Sequence, residues 1–386
     1  MNPLQGLQPA KSKSLEPRLT VIIVNFESWP DVVRLVESVT SESEFASGRC
    51  QVVVVDNASR GPIPESISGE RPGLRIVARP DNGGFAVGVN AGWRAARSRW
   101  LLVLNPDVET TAGFLGRVFT RLDHYETDPG GPPGIVGFGL QNPDGSPQGS
   151  VGAFPTLARS IWEQFLPRSR RKYQPGWRIR AGAVDWVTGA CMLVNTTMIA
   201  ELGGMDEDFF LYHEEVAFSR VARRRGWRVE YDPSVSVIHR HPLQNRAISP
   251  KMRIITRHSK LLYFRKHLPR WQFWTLSAIV TIEAAIQGRW SQCRGRQDEV
   301  RAWRTIAEVA RRLRRGIPLR GQAILELAES ATAPECQHGT GLDSAAGTSS
   351  ASSTMAPASL QRSAGMHRGR PGSGAALLEP RKDGTA

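Results

Sequence analysis

Three nearly uninterrupted apolar runs, each stopping on an amide or a carboxylate, constrain the fold of this chain most. Leu19–Val24 (LTVIIV) runs into Asn25, Gln51–Val55 (QVVVV) into Asp56, and Trp100–Leu104 (WLLVL) into Asn105-Pro106-Asp107. Strands apolar on both faces belong inside a sheet that is covered on both sides. Helical patterns separate them: residues 30–39 place Val32, Leu35, Val36 and Val39 at helical spacing, and Gly83–Ala96 follows a glycine-rich start. Leu74–Val77 supplies a further strand, and Thr110 or Thr111 is expected to cap a helix running to about His124. Alternation of this kind predicts an α/β fold, a mostly parallel sheet flanked by helices. Ligands of such sheets bind beyond the carboxyl ends of the strands, so the acids should gather in one crevice.

Further along, Asp128–Gly152 turns to Pro, Gly, Asn and Ser with one strand candidate, Ile135–Leu140, and Arg168–Arg180 reads as a basic exposed loop. Regular patterns return at Asp185–Asn195, with helices expected over Thr196–Leu202 and Glu214–Arg225, the latter closed by Gly226. Trp227–Tyr231 and Val235–Ile238 read as two short strands, and Met252–His267, Trp271–Ile286 and Gln297–Leu313 as helices. These patterns divide the chain into a disordered start (1–17), an α/β domain (18–268), a basic helical extension (269–330) and a disordered tail (331–386), whose Ala, Ser, Gly and Thr bury too little to fold.

Four cysteines (Cys50, Cys191, Cys293, Cys336) without a Cys-x-x-Cys pair argue against a disulfide framework and fit a reducing cytoplasm. Residues 1–17 lack the apolar core of a secretory leader, and Trp271–Ile286 is shorter than the roughly 18–20 residues a spanning helix needs. The formal charge of +14 is concentrated between Lys251 and Arg320 and needs anionic company: nucleic acid, acidic lipid or a diphosphate-linked substrate.

Each polar cluster has a bland rival. Asp56-Asn57 can meet a base or ribose at the sheet edge, yet Asp and Asn after a strand more often make a local turn. Asn82-Gly83-Gly84-Phe85 offers backbone N–H groups at a helix start, or merely tight packing, and its spacing is neither a dinucleotide fingerprint nor a P-loop. Asn105-Pro106-Asp107 can aim one carboxylate at a phosphate-bound Mg²⁺ or Mn²⁺, or simply cap a turn. Glu214-Glu215 stand beside Phe209, Phe210 and Tyr212, where apolar walls suit a general base, although acids favour helix starts in any case. His239 can join the metal or be structural, and His241 competes with it.

Taken together, VIIVNF (21–26), VVVVDNAS (52–59), DNGGFAVGVNAG (81–92), LLVLNPDVE (101–109), DWVTGACMLVN (185–195), GGMDEDFFLYHEE (203–215) and GWRVEYDPSVSVIH (226–239) resemble the family 2 inverting glycosyltransferases of GT-A fold, in their rhamnosyltransferase-like branch. The resemblance spans about residues 19–268 and implies a Rossmann-like GT-A sheet. It implies that Asn25, Asp56, Asn82, Gly84 and Asn105 hold the nucleotide. Asp107 and His239 would take Mg²⁺ or Mn²⁺, Trp186 and Gly189 would border sugar and acceptor, and Glu215 would be the catalytic base. The sequence departs from the family twice. Asn105 stands where a metal-motif acid is usual, and Glu215 where the base is usually Asp. Glu is longer by one methylene, and a misplacement of about 1 Å can cost on the order of 10²-fold, so Glu214 is an alternative base.

The function expected from the resemblance is inverting transfer of a sugar, rhamnose by branch, from a dTDP- or UDP-sugar to a saccharide or polyprenyl-diphosphate-linked acceptor in cell-surface polysaccharide synthesis. A non-catalytic sugar-nucleotide-binding module is the alternative. No helix-turn-helix, RNP or zinc pattern supports a nucleic-acid partner. The expected location is the cytoplasm. There the extension either rests on the inner face of the plasma membrane through Trp271, Trp274, Trp290 and Trp303, or packs on the core.

Overall fold

The computed structural model of the protein describes residues 16–166, 173–174, 179–240, 248–317 and 319–333. Four parallel strands, β1 (Leu19–Asn25), β2 (Cys50–Asp56), β3 (Leu74–Ala78) and β4 (Trp100–Leu104), lie in the order β3-β2-β1-β4. Side chains alternate across a strand, and here both faces are covered. Val21, Ile23, Val52 and Val54 pack under the first helix, α1 (Trp29–Thr40), while Ile22 and Val24 pack on the opposite side. The register sets Asn25 directly beside Asp56 at the strand ends.

Two one-turn helices, α2 (Ser43–Ala46) and α3 (Glu65–Ser68), precede α4 (Phe85–Ala95). Helix α4 presses so closely on β1 that a Cβ at Gly92 would come 2.6 Å from Ile22. After β5 (Val108–Glu109) comes α5 (Phe114–Glu126), whose N-cap is Gly113 rather than Thr110 or Thr111. Thr110 instead bonds Ser38, Thr111 accepts from Arg117, and the Glu42 carboxylate takes the free N–H groups of Phe114 and Leu115. A capping acid from another element cannot be seen in a local pattern.

The chain continues through β6 (Ile135–Gln141), β7 (Pro147–Gln148), β8 (Val151–Gly152), α6 (Leu157–Trp162) with a 3₁₀ turn over Glu163–Phe165, β9 (Gly182–Ala183), β10 (Trp186–Val187), β11 (Cys191–Asn195), α7 (Thr196–Leu202), α8 (Glu214–Arg224) and β12 (Val229–His239). Strand β11 enters antiparallel between β4 and β6, and the path is completed as β4-β11-β6-β12-β5. The pairing remains mostly parallel by residues joined. The two strands expected over 227–238 are one, β12, with a register shift between Asp232 and Ser236 around Pro233. Proline removes one ladder donor, so the strand bulges and then resumes. At the bulge, Asp232 accepts from Arg121, Tyr125 and Ser234. Cys50 and Cys191 are buried, and burial pushes the Cys50 thiol up to about 12.

Four helices close the described chain: α9 (Pro250–His267), α10 (Arg270–Cys293), α11 (Gln297–Arg314) and α12 (Gly321–Thr332). They share one core with Phe209, Phe210 and Val216, so the extension packs on the α/β domain, and α9 belongs to the same cluster. Trp303, expected at a membrane, is buried on α11 under the Arg253 guanidinium. Helix α10 runs about two turns past Ile286, and α12 lacked a predicted counterpart. Ala331 and Thr332 are helical, and the expected tail beyond Ala333 lies outside the described residues, as do most of residues 1–17, most of Arg168–Arg180, and His241.

Candidate active site

At the ends of β1 and β2 the sheet builds a hydrogen-bonded polar cluster. Asn25 Nδ2 donates to Asp56 Oδ1 at 2.8 Å, and Ser59 Oγ donates to the same oxygen at 2.6 Å. Asp56 Oδ2 accepts the Ser59 N–H at 3.2 Å and has lone-pair capacity for a further donor. The local turn that Asp favours is therefore made, and the carboxylate still faces the strand end. Ser59 was not singled out by sequence, although Asp followed by Ser at the third position is a turn signature.

The glycine turn joins this cluster to the rest of the site. Asn57 Nδ2 donates to the Gly84 carbonyl at 3.0 Å, and Gly84 N–H donates to Asn82 Oδ1 at 3.1 Å. Gly84 holds φ +94°, and a Cβ there would lie 2.1 Å from the Phe210 carbonyl oxygen. Phe85 N–H, next in sequence, donates to that same carbonyl at 2.9 Å. Glycine is required by both backbone conformation and contact.

On the other side of β1, Asn105 leaves β4 with its N–H bonded to the Ala190 carbonyl at 3.0 Å. The tight turn that follows delivers Asp107 to β5, and β5 pairs antiparallel with the end of β12 so that His239 stands opposite Val108. That pairing puts His239 Nε2 3.4 Å from Asp107 Oδ1. His239 Nδ1 lies 3.0 Å from Gln148 Oε1, which fixes the ring. Among the described residues, no group of three His, Cys, Asp or Glu side chains converges to hold a cation alone.

Glu214 and Glu215 open α8 and are only 4% exposed each. The two residues before them, Tyr212 (φ +67°) and His213 (φ +70°), are both left-handed without being glycine. Strain of this kind is held only where packing fixes it, and the His213 ring rests 5.9 Å from that of Tyr263 in α9.

A cavity joins these elements. Asn105, Gly189, Glu214, Glu215 and His239 line it together, with Phe85, Gln148, Gly149 and Tyr173 also on the wall. Asp107 lies outside the lining, 3.4 Å from His239, and Asn25, Asp56, Asn82 and Gly84 are also outside it, with Gly84 preceding the lining residue Phe85. Trp186 lies elsewhere than expected. It is 1% exposed, donates to the Ala153 carbonyl, and packs against Tyr173 with tilted rings whose centroids are 5.4 Å apart, and Tyr173 is the ring on the cavity wall. Gln148 carried no sequence signal, because it falls in the aperiodic Pro, Gly and Ser stretch.

Known proteins are similar to this chain over most of its length. The family description "Glycosyl transferase family 2" matches residues 20–194. The chain is similar to the N-acetylglucosaminyl-diphospho-decaprenol L-rhamnosyltransferase of Mycobacterium tuberculosis, 24% identical over 310 residues, covering 73% of this chain and 97% of the relative. It is similar to the low-salt glycan biosynthesis hexosyltransferase Agl10 of Haloferax volcanii, 29% identical, covering 68% and 82%. Among solved structures, the mannosyltransferase PcManGT from Pyrobaculum calidifontis, in complex with GDP-Man and Mn²⁺, matches with a TM-score of 0.44 and 17% identity over 83% of this chain and 88% of that one. The matched span takes in the strands that present Asn25, Asp56, Asn105 and Asp107, and the two enzymes extend the similarity through α8 and β12 into the helical end. Residues 20–194 match glycosyl transferase family 2, and the similarity to glycosyltransferases, a rhamnosyltransferase among them, marks the chain as a glycosyltransferase of that type.

Proposed function

We propose that the cavity transfers a sugar from a dTDP- or UDP-sugar to a hydroxyl of a saccharide carried on a polyprenyl diphosphate, with inversion at the anomeric carbon. The observation that carries this reading is the burial of Glu214 and Glu215 on the same wall as Asn105 and His239. A carboxylate shielded from water within reach of a bound hydroxyl is what a general base requires. Glu215 takes the acceptor proton, with Glu214 supporting or substituting. The acceptor oxygen bonds the anomeric carbon as the bond to the diphosphate oxygen breaks, and the electron pair leaves with the nucleoside diphosphate. One displacement without a covalent intermediate inverts the configuration.

Asp56 accepts a hydrogen bond from the base, held in place by Asn25 and Ser59. Asn82 and Gly84 shape the ribose end, Gly189 and Tyr173 the sugar and acceptor end. Asp107 and His239 fit a divalent cation, Mg²⁺ or Mn²⁺. The 3.4 Å between Oδ1 and Nε2 can be spanned by two neighbouring ligands of one ion, and an Nδ1–H donated to Gln148 leaves the lone pair on Nε2. Two protein ligands leave the remaining positions to phosphate oxygens and water, and the cation supplies charge neutralisation of the departing diphosphate.

The relatives' names support rhamnose as donor sugar and a lipid diphosphate as acceptor carrier. A lipid-carried acceptor met by a nucleotide-sugar donor would set the working position at the inner face of the cytoplasmic membrane. Thermal stabilisation by dTDP, UDP and GDP with Mn²⁺, followed by transfer from dTDP-rhamnose, tests the reading. A larger shift with dTDP or UDP than with GDP is expected. Full transfer activity in an Asp107→Ala, Glu215→Gln double variant overturns it.

A further inference from the structure

Helix α10 is apolar on nearly all sides, but protein covers only one of them. Phe273, Leu276, Val280 and Ala284 are buried in the helical core, whereas Trp271 (62% exposed), Ile282 (60%), Ile286 (60%) and Trp290 (54%) face outward with Trp274 and Ile279. A helix that is apolar all round is normally covered all round. Its one acid, Glu283, turns inward to pair with Arg257 of α9, so the outer face carries no negative charge. From Trp271 to Trp290 the stripe is about 28 Å long at 1.5 Å per residue. Beside it lies a second apolar group, Trp162 (64% exposed) and Phe165 (77%), on the segment anchored to α10 by Leu157 N–H donating to Gln272 Oε1 at 3.1 Å.

We propose that this face docks flat on an anionic lipid bilayer. Arginines choose that occupant over an apolar protein partner: Arg270 is exposed at one end, and Arg289, Arg294 and Arg296 at the other. The Arg294 guanidinium lies 3.5 Å over the Trp290 ring, pairing a cation with an aromatic at headgroup depth. Among the described residues, no helix is long and apolar enough to cross a membrane. Helix α10 therefore lies in the interface, its apolar side among acyl chains and its arginines among phosphates. The inference rests on the reading of a lipid-carried acceptor for its choice of a membrane, and it adds the surface that meets it. The segment bearing Trp162 follows Gly149 of the cavity wall within one strand, so docking would bring the acceptor end of the cavity towards the lipid.

The test is flotation of the full chain with vesicles of equal parts phosphatidylglycerol and phosphatidylcholine, against pure phosphatidylcholine, at low and high salt. The wild type should float with the anionic vesicles and lose binding as salt rises. Brominated acyl chains should quench its tryptophan emission. An Ile282→Glu, Ile286→Glu variant should bind at least roughly tenfold more weakly, and Arg289→Glu, Arg294→Glu should lose the preference for phosphatidylglycerol. Stabilisation by dTDP or UDP is read on the same variants and should be unchanged, which separates failure of the surface from failure of the donor site. Equal flotation of wild type and the Ile282→Glu, Ile286→Glu variant overturns the proposal. So does a wild-type dimer, seen by sedimentation velocity, that the same variant converts to monomer without any lipid binding.

Discussion

His239 Nε2 stands 3.4 Å from Asp107 Oδ1 because two short strand ends, β5 and β12, pair antiparallel beside β6. The turn after Asn105 presents Asp107, and the end of β12 presents His239. The relationship therefore depends on the register of β12, which is reset by the bulge at Pro233 and locked there by Asp232 against Arg121 and Tyr125. His239→Ala should lower transfer by about 10²-fold and raise the Mn²⁺ concentration needed for half-maximal rate, and Gln148→Leu should weaken metal affinity by roughly 10–100-fold through the freed ring. Metal titration of the transfer rate checks both. An unchanged titration in His239→Ala would remove it from the cation.

Glu214 and Glu215 are equally buried on one cavity wall, so their roles are separated by kinetics rather than by exposure. Glu215→Gln should cut the turnover rate by about 10²–10⁴-fold while leaving dTDP or UDP affinity intact, the signature of a lost general base. Glu214→Gln should cost less than about tenfold if it only supports. Reversal of the two magnitudes would assign the proton to Glu214.

Most of the sheet was legible because its strands are buried on both faces and so read as continuous Val, Ile and Leu. The sites at strand ends were legible for the same reason: Asn25, Asp56 and Asn105 are where those runs stop. What escaped depends on partners far away in sequence. Glu42 caps α5 from outside it, Gln148 meets His239 from an aperiodic loop, and Tyr173 covers Trp186 so that the smaller ring lines the cavity. Trp303 escaped for a different reason. Its helix has an amphipathic pattern whose inner face it occupies, whereas α10 is apolar on both faces and gives the sequence no sign of which one is covered.

Gly84 is held at φ +94° with the Phe210 carbonyl where a side chain would begin. Gly84→Ala must move either the Asn82–Phe85 turn or the segment that leads into Glu214. The cost is expected at about 1–3 kcal/mol from backbone strain, with more from the contact. Nucleotide affinity should fall along with turnover, because the turn joins the Asp56 cluster to the cavity. Chemical denaturation and dTDP or UDP titration of the variant measure the two effects, and wild-type values in both would show that the turn adapts freely.

His258 is fully buried on α9 within the helical core, and burial pushes its imidazole down to about 4, from an ordinary value of 6.5. The folded state keeps the ring neutral where the unfolded chain would take up a proton. Between pH 6.5 and about 4 the unfolded state therefore binds more protons, and stability falls as pH falls. The stabilising difference is fully present above pH 6.5 and is lost through that window, at a slope of at most about 1.4 kcal/mol per pH unit for one such group. His267, also lowered to about 4, by burial and by Arg224 and Arg220, adds to the same limb. A His258→Phe variant retains an apolar ring and has no proton to bind. Its melting temperature should decline less steeply than that of the wild type from pH 6.5 to 5, while the two differ little in slope above pH 7. Parallel declines across the whole range would mean that the His258 ring takes up its proton within the folded helices.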